Sequence, residues 1–82
     1  MRLNRLLLYT TVGCHLCEHA ALVLQEFAAQ PDAPQFDLDE IDISTDEQLV
    51  ALYGIRIPVV KNSANEKEVG WPFGLEDIAT LF

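Results

Sequence analysis

Cys14 and Cys17, spaced C-x-x-C, constrain this 82-residue chain more than any other feature of its sequence. They are its only cysteines, and they follow an apolar run and precede a helical pattern. At this spacing at the start of a helix, the two α-carbons should lie about 5 Å apart, within the range that a disulfide tolerates. The pair therefore predicts a reversible dithiol/disulfide centre that the remaining chain must present.

Length and charge narrow the class of protein. A chain of 82 residues is expected to form one domain with one core, covering residues 1–82. Thirteen acidic against five basic residues give a formal net charge of −8. Nucleic acid is therefore a poor partner, because a polyanion needs Lys and Arg to displace its counterions.

The chain also lacks the patterns of a membrane or secreted protein. No apolar run approaches the roughly 18 residues of a membrane helix. Residues 1–9 contain Asn4 and Arg5 and no small-residue cleavage site, so they make a poor signal peptide. Two cysteines are too few for a disulfide-stapled secreted scaffold. We therefore expect a cytoplasmic monomer with no membrane partner, in which a C-x-x-C pair is more often redox-active or metal-binding than structural.

Hydrophobic periodicity predicts a strand and a helix around the cysteines. Residues 6–9 form a short apolar run typical of a strand that is buried on both faces. Apolar residues then recur at helical spacing, which predicts a helix over about residues 15–29. The prolines within residues 30–34 should end it.

A second strand and a second helix follow. Alternation of apolar and acidic residues begins at Phe36, but Ile41 has the opposite phase, so we expect the strand to end or to bulge near Glu40. Residues 44–47, Ser-Thr-Asp-Glu, predict a capping-box start to the helix. Gly54 stands where a left-handed C-terminal cap is expected.

The last third of the chain predicts a hairpin and a closing helix. Residues 55–61 have a strand pattern that is interrupted by Pro58. That proline is either an edge or bulge residue, or a cis-proline that leaves backbone groups free for an extended substrate. Residues 62–65 have turn chemistry, residues 66–71 can pair back, and residues 75–82 carry a helical pattern.

The position of each cysteine predicts its chemistry. A redox cysteine attacks as a thiolate, and a helix N-terminus lowers its pKa through unpaired N–H groups and a partial positive charge. Cys14 lies at that end, whereas Cys17 lies one turn further in and should be more buried. Cys14 is therefore predicted to attack a substrate disulfide and Cys17 to resolve the mixed disulfide. His15 either supports the thiolate when protonated or is an exposed residue without a role.

Two motifs together resemble the thioredoxin superfamily, and within it the small glutaredoxin-like proteins. They are Cys14-His15-Leu16-Cys17 at the start of a helix and Gly54-Ile55-Arg56-Ile57-Pro58-Val59-Val60 ahead of a hairpin. The resemblance covers essentially the whole chain. It implies an α/β, thioredoxin-like fold with a four-stranded mixed sheet flanked by three helices, in the order β-α-β-α-β-β-α. It also implies a cis peptide before Pro58, next to the cysteines, and a thiol-disulfide oxidoreductase with a role in electron transport and cell redox homeostasis.

The chain departs from the glutaredoxin pattern where glutathione binds. No lysine shortly precedes Cys14, and Arg56-Ile57-Pro58 stands in place of Thr-Val-Pro. We expect His15, Arg56, Ile57 and Pro58 to contact substrate, with Arg56 either replacing the lysine or remaining a solvated arginine. The resemblance implies no bound cofactor. Its expected substrates are protein disulfides and glutathione mixed disulfides, with glutathione or a thioredoxin-reductase-like protein as the electron donor.

Two other functions stay open. The cysteines with His15 or His19 could bind a metal ion or an iron–sulfur cluster, but ligands on one helical turn cannot all surround one ion, so a dimer would have to share it. Alternatively, the domain is a non-catalytic adaptor that binds through Trp71-Pro72-Phe73, unless these residues only pack the last strand against the last helix. The acidic residues 37–47 lack the glycine and spacing of a calcium loop, so no metal site is predicted there.

Overall fold

The elements follow the predicted order in a computed structural model that describes residues 4–82. The first three residues, which begin the stretch weighed as a signal peptide, lie outside this range. No helix among residues 4–82 is both long and apolar enough to cross a membrane. The strands and helices are β1 (Asn4–Thr10), α1 (His15–Ala28), β2 (Phe36–Asp42), a 3-10 turn (Ile43–Thr45), α2 (Glu47–Tyr53), β3 (Val59–Asn62), β4 (Glu68–Gly70) and α3 (Leu75–Ala79).

The four strands form one mixed sheet in the order β2-β1-β3-β4. β1 pairs with β2 in parallel and with β3 antiparallel, and β4 pairs antiparallel with β3. β1 is central and apolar because both faces of the sheet are covered there. The predicted thioredoxin-like fold, a four-stranded mixed sheet with three helices, is confirmed.

Alternate residues of β1 contribute to two separate cores. Leu6 and Leu8 pack on one face with residues of α1 and α3, including Leu24 and Ile78. Tyr9 packs on the opposite face with the side chains that surround α2. The expectation that this strand is buried on both faces is confirmed, because each face packs against a separate core.

The predicted break in the second strand is wrong. β2 pairs with β1 in one uninterrupted parallel register from Phe36 to Asp42, so the strand continues through Glu40. The change of phase has another cause. Phe36 packs against the core on the α1 side, whereas Ile41 packs against the core on the α2 side, so each face of this edge strand is covered at a different end.

Both predicted caps of the second helix need correction. Asp46 caps α2, its carboxylate accepting hydrogen bonds from the N–H groups of Gln48 and Leu49. Ser44, the expected cap, lies in the 3-10 turn and is itself capped by Asp42. Gly54 is the C-terminal cap, but its φ of −52° is right-handed.

The chain continues in a turn after Gly54, because the N–H groups of Arg56 and Ile57 both donate to the Tyr53 carbonyl, at 2.8 and 3.0 Å. A Cβ at position 54 would lie 2.5 Å from the Val50 carbonyl oxygen, which explains the glycine there. The predicted strand start at residue 55 is therefore wrong, and β3 begins at Val59.

The predicted hairpin and closing helix are confirmed. The fully buried side chain of Asn62 accepts from the Ala64 N–H at 2.9 Å and donates to the Leu81 carbonyl at 2.8 Å. It thereby joins the β3–β4 turn to the end of the chain after α3. The first turn of α3 is capped by Asp77, whose carboxylate accepts from the Gly74 N–H at 2.9 Å.

Candidate active site

The candidate site lies where β1 leads into α1. After Thr10 the chain crosses the short loop of residues 11–13, with Gly13 at a φ of +80°, a conformation that favours glycine. Cys14 then takes the N-cap position of α1 in an extended conformation. The predicted placement of the first cysteine at a helix N-terminus is thus what the structure has.

Cys14 and Cys17 form a disulfide, with their α-carbons 5.3 Å apart. The N–H of Cys17 also donates to the Cys14 Sγ, at 3.2 Å. Cys14 is half-buried, whereas Cys17 is only 5% exposed and belongs to the buried side of α1. An incoming sulfur can therefore reach Cys14 more easily than Cys17.

Two effects of opposite sign act on a Cys14 thiolate. The free N–H groups at the start of α1 stabilise it, and the Cys17 N–H supplies one charge-assisted hydrogen bond. Glu18, in the first turn, opposes it through like charge. His15 is almost fully exposed, and its Nδ1 lies 3.8 Å from the Glu18 carboxylate. The structure therefore brings His15 to Glu18.

Ile57 and Pro58 lie at the same end of the sheet as the cysteine loop. The register that pairs Tyr9 with Val59 places them just before β3, beside the end of β1. The Ile57–Pro58 peptide is cis, as the resemblance implied, and so is the Trp71–Pro72 peptide. The Ile57 N–H is already bonded to the Tyr53 carbonyl at 3.0 Å. No donor from residues 4–82 reaches the Ile57 carbonyl, so this is the group that an extended substrate could bind.

The Arg56 side chain contacts two residues of its own chain, Glu68 and Tyr53. Its guanidinium lies 2.9 Å from the Glu68 carboxylate and over the ring of Tyr53, 5.4 Å from the centroid. The Tyr53 hydroxyl donates to the same carboxylate at 3.0 Å, and the Tyr53 ring stacks on Tyr9 with centroids 4.3 Å apart. We call Tyr9, Tyr53, Arg56 and Glu68 the tyrosine–glutamate network.

This network shifts the pKa of two of its members. Burial, together with the hydrogen bond to Glu68, raises the pKa of Tyr53 to about 12. Partial burial raises the pKa of Glu68, but the hydrogen bonds from Arg56 and Tyr53 outweigh it and leave that pKa below its ordinary value. Arg56 therefore faces a charged carboxylate of its own chain at neutral pH.

A groove opens beside the disulfide, on the side of β2. It has a volume of about 210 Å³. Both cysteines line it, with Glu18 from α1 and Glu40 from β2. We call it the β2-side groove; its lining includes Thr10, Thr11, Cys14, Cys17, Glu18 and Glu40.

The residues of the two alternative functions have structural surroundings of their own. Among residues 4–82, no three His, Cys, Asp or Glu side chains are grouped so that they could hold a metal ion. Phe73 is buried in the main core, and Trp71 packs against that core and meets Phe73 edge-to-face at 5.1 Å. The Trp71-Pro72-Phe73 stretch is thus largely explained by packing.

Sequence reasoning missed Glu40 as a neighbour of the cysteines. It was considered as the point where the second strand might end and as part of an acidic stretch without a calcium-loop pattern, whereas the unbroken parallel register of β1 and β2 carries it to the groove. Glu68 was also missed, because the network depends on pairing between residues 12 and 15 positions apart. One signal could have located Glu40. If the second strand is paired in parallel with residues 6–9 without a bulge, its end lies beside the end of β1 that leads to the cysteines.

The sheet order and the C-x-x-C disulfide at the start of α1 define a protein of the thioredoxin-like class. The model of the glutaredoxin-like domain (DUF836) matches residues 5–82. The chain therefore belongs to this glutaredoxin-like family. No curated protein sequence matches it.

Solved structures agree with this assignment. The chain is similar to the crystal structure of target protein XcR50 from X. campestris, with 31% identity, a TM-score of 0.73 and coverage of 92% of this chain and 91% of that one. It is also similar to the solution structure of Ne2328 from Nitrosomonas europaea, with 25% identity, a TM-score of 0.75 and coverage of 98% and 92%. The Trx4 domain of ERdj5 shares the fold, with 17% identity, a TM-score of 0.57 and coverage of 96% and 75%.

Proposed function

We propose that this protein is a thiol-disulfide oxidoreductase of the glutaredoxin type, cycling between a Cys14/Cys17 dithiol and disulfide. The observation that carries the proposal is the asymmetry within that disulfide. Cys14 lies at the accessible helix N-terminus, while Cys17 is almost entirely buried in the next turn. This is the arrangement that an attacking and a resolving thiol require.

In the first step, the Cys14 thiolate of the reduced protein attacks one sulfur of a substrate disulfide. A Cys14–substrate disulfide forms as the substrate S–S bond breaks, and the departing sulfur leaves as a thiolate that takes a proton from water. The Cys17 N–H, which lies 3.2 Å from the Cys14 Sγ in the disulfide form, supports the attacking thiolate.

In the second step, Cys17 loses its proton and attacks the Cys14 sulfur. The mixed disulfide breaks, the second substrate thiolate leaves and is protonated, and the Cys14–Cys17 disulfide of the structure remains. The substrate has gained two electrons and two protons. A thiol reductant, either glutathione or a thioredoxin-reductase-like protein, returns the pair to the dithiol by the reverse exchange.

Several features of the proposal come from the family rather than from the site. The substrates are protein disulfides or glutathione mixed disulfides, and the protein acts as a cytoplasmic monomer in redox homeostasis without a bound cofactor. The Ile57 carbonyl, next to Pro58 at the cysteine end of the sheet, would accept a hydrogen bond from the substrate backbone. For Arg56 to bind a glutathione carboxylate, it would have to leave Glu68.

The test is turnover of a disulfide substrate by three forms of the protein, each reduced beforehand. The wild type should reduce the substrate, Cys14→Ser should be inactive, and Cys17→Ser should accumulate one equivalent of mixed disulfide at Cys14, visible by mass spectrometry. Both variants lose the same disulfide, so they control for each other's stability.

A pH titration of alkylation gives an independent readout. The reduced wild type should react at Cys14 at a lower pH than an unperturbed cysteine does, because the start of α1 stabilises the thiolate. If Cys14→Ser retained turnover, or if no disulfide formed under oxidant, the oxidoreductase proposal would be wrong.

A further inference from the structure

The β2-side groove is the surface that a substrate meets beside the reactive sulfur. Cys14 and Cys17 form part of its lining, and β2 contributes Glu40 to the same lining. A second groove of about 330 Å³ adjoins it, shares Thr10, Thr11 and Glu40, and extends to Asp42. We call the two grooves together the channel. A polypeptide with its disulfide at Cys14 would have flanking residues within reach of the channel.

The channel is lined by carboxylates and not by cations. Glu18, Glu40 and Asp42 are its charged side chains, and no Lys, Arg or His of residues 4–82 lines either part. Hydrogen bonds from Ser44 hold the pKa of Asp42 below its ordinary value, so this carboxyl stays ionised. The carboxylates that line the channel therefore place a negative potential on the flanking residues of a substrate.

The basic residues of the fold do not offset this field. Residues 4–82 contain four Lys and Arg residues, and three of them lie within 4 Å of a carboxylate outside the groove. Arg5 pairs with Asp39, Arg56 with Glu68 and Lys61 with Glu66. With a formal charge of −8 for the whole chain, nothing in the composition reverses the sign around the groove.

We infer that the groove selects disulfides flanked by lysine or arginine in a protein substrate, and disfavours glutathione and other anionic disulfides. The inference rests on the proposed oxidoreductase function and names its substrate class. Glutathione carries two carboxylates and one ammonium group, so its net charge is repelled by the groove. A basic segment is attracted instead, which raises its rate of association. Glu18 and Glu40 are the specificity-determining residues.

The test uses three mixed-disulfide peptides that differ only in the two residues beside the cysteine, which are Lys, Ser or Glu. At low salt, kcat/KM should fall in that order, with about a tenfold or greater ratio between the Lys and Glu peptides. Between about 10 mM and about 1 M salt the Debye length shrinks from roughly 30 to 3 Å, so the ratio should collapse. Glutathione disulfide should behave like the Glu peptide.

The variant arm compares E18Q/E40Q with D32N/D37N. Both double variants change the net charge from −8 to −6. Asp32 follows the far end of α1, about 20 Å along the helix from Cys14, and Asp37 is near the start of β2. E18Q/E40Q should reduce the Lys-to-Glu ratio severalfold at low salt, whereas D32N/D37N should leave it unchanged. Any change in Cys14 reactivity acts on all the peptides and cancels in the ratio.

The possible outcomes separate the inference from the proposed function. Turnover of all three peptides at one rate, or equal effects of the two double variants, would overturn the selectivity and leave the oxidoreductase intact. No turnover of any peptide by reduced wild-type protein would overturn both. The salt series on the wild type decides the question even if a variant fails to fold.

Discussion

The two halves of the sheet that flank β1 are built by different means. On the β3–β4 half, the tyrosine–glutamate network closes the surface with a stacked ring pair, a cation over a ring and two hydrogen bonds to one carboxylate. On the β2 half, the groove is open, and Glu40 has no such partner within residues 4–82. Arg56 neutralises Glu68 on the first half, whereas on the second Arg5 pairs with Asp39 and no Lys or Arg of residues 4–82 pairs with the groove carboxylates Glu18 and Glu40.

The difference separates scaffold from recognition. On the β3–β4 half, the tyrosine–glutamate network packs the chain that leads into Ile57 and Pro58, so changes within the network should act through stability. The β2 half presents charge to whatever approaches Cys14, so changes there should act through substrate preference.

Removing the Tyr53 side chain should cause the largest loss of stability. Tyr53→Ala leaves Tyr9 without its stacking partner and Glu68 with Arg56 as its one remaining donor within the network, and it opens a cavity in the core beside α2. Truncation of a buried aromatic residue costs about 3–5 kcal/mol of the free energy of unfolding. Urea denaturation of the oxidised protein measures it.

Tyr53→Phe is the matched control, since it keeps the ring and removes only the hydroxyl, at a cost of about 1 kcal/mol. It also has its own signature with pH. Because the pKa of Tyr53 is raised from 10 to about 12, the unfolded chain loses that proton first and stability falls as pH rises across this window. The variant should lack this alkaline slope. An equal slope in both proteins would mean that the Tyr53 hydroxyl does not cause the loss of stability at alkaline pH.

Substitution of Gly13, in the loop before Cys14, should cost less stability than Tyr53→Ala. Gly13 has a φ of +80°, and a Cβ built there would have no heavy atom within 4 Å. Gly13→Ala therefore introduces backbone strain without a steric clash, at about 1–2 kcal/mol. Gly13→Asn should cost less, because asparagine tolerates the left-handed region better. Equal losses for the two variants in urea denaturation would indicate a cause other than φ.

The same division explains what could be predicted from the sequence. The continuous apolar run of β1 and the helical spacing of α1 are local patterns, so both elements and the position of Cys14 were predictable. The start of β3 was not, since Ile55 and Ile57 alternate like strand residues while the N–H groups at 56 and 57 bond back to Tyr53. A helix end that continues to curl leaves no mark in hydrophobic periodicity.

The candidate site shows the same limit. The cysteine pair is recognisable because its two members are three residues apart. Glu40 reaches the groove only through the register of two strands separated by a helix. The partner of Arg56 lies twelve residues along the chain, on a different strand. Chemistry within one turn could therefore be predicted, and chemistry assembled across strands could not.

Glu68 should make stability depend on pH in the acid range. Its folded-state pKa lies below the ordinary value of 4.5, so the ionised carboxylate stabilises the fold fully above that pH. This contribution is lost as pH falls through the folded-state pKa. Glu68→Gln keeps an acceptor for Tyr53 but loses the ion pair with Arg56, which should cost about 1 kcal/mol at neutral pH. Its stability should fall less steeply than that of the wild type in acid.

Asp77→Asn is the control for removing a carboxylate outside the network, because the Asp77 carboxylate caps α3. It should leave the contribution of Glu68 to the loss of stability in acid unchanged. If Glu68→Gln and the wild type lost stability in parallel below pH 4.5, the ion pair with Arg56 would not be a stabilising contact. Arg56 would then be available to a substrate carboxylate, and the contrast between the two halves of the sheet would weaken.

The smallest expected effect on stability is also the one that most sharpens the comparison. Glu40 is exposed, so Glu40→Gln should change the free energy of unfolding by less than about 0.5 kcal/mol. The same change should still lower the preference for a lysine-flanked over a glutamate-flanked disulfide, because it removes one of three carboxylates from the channel. A large loss of stability would mean that β2 depends on Glu40 for its structure, and the β2 half would then be scaffold as well. Unchanged stability with unchanged preference would leave the groove without a role in recognition.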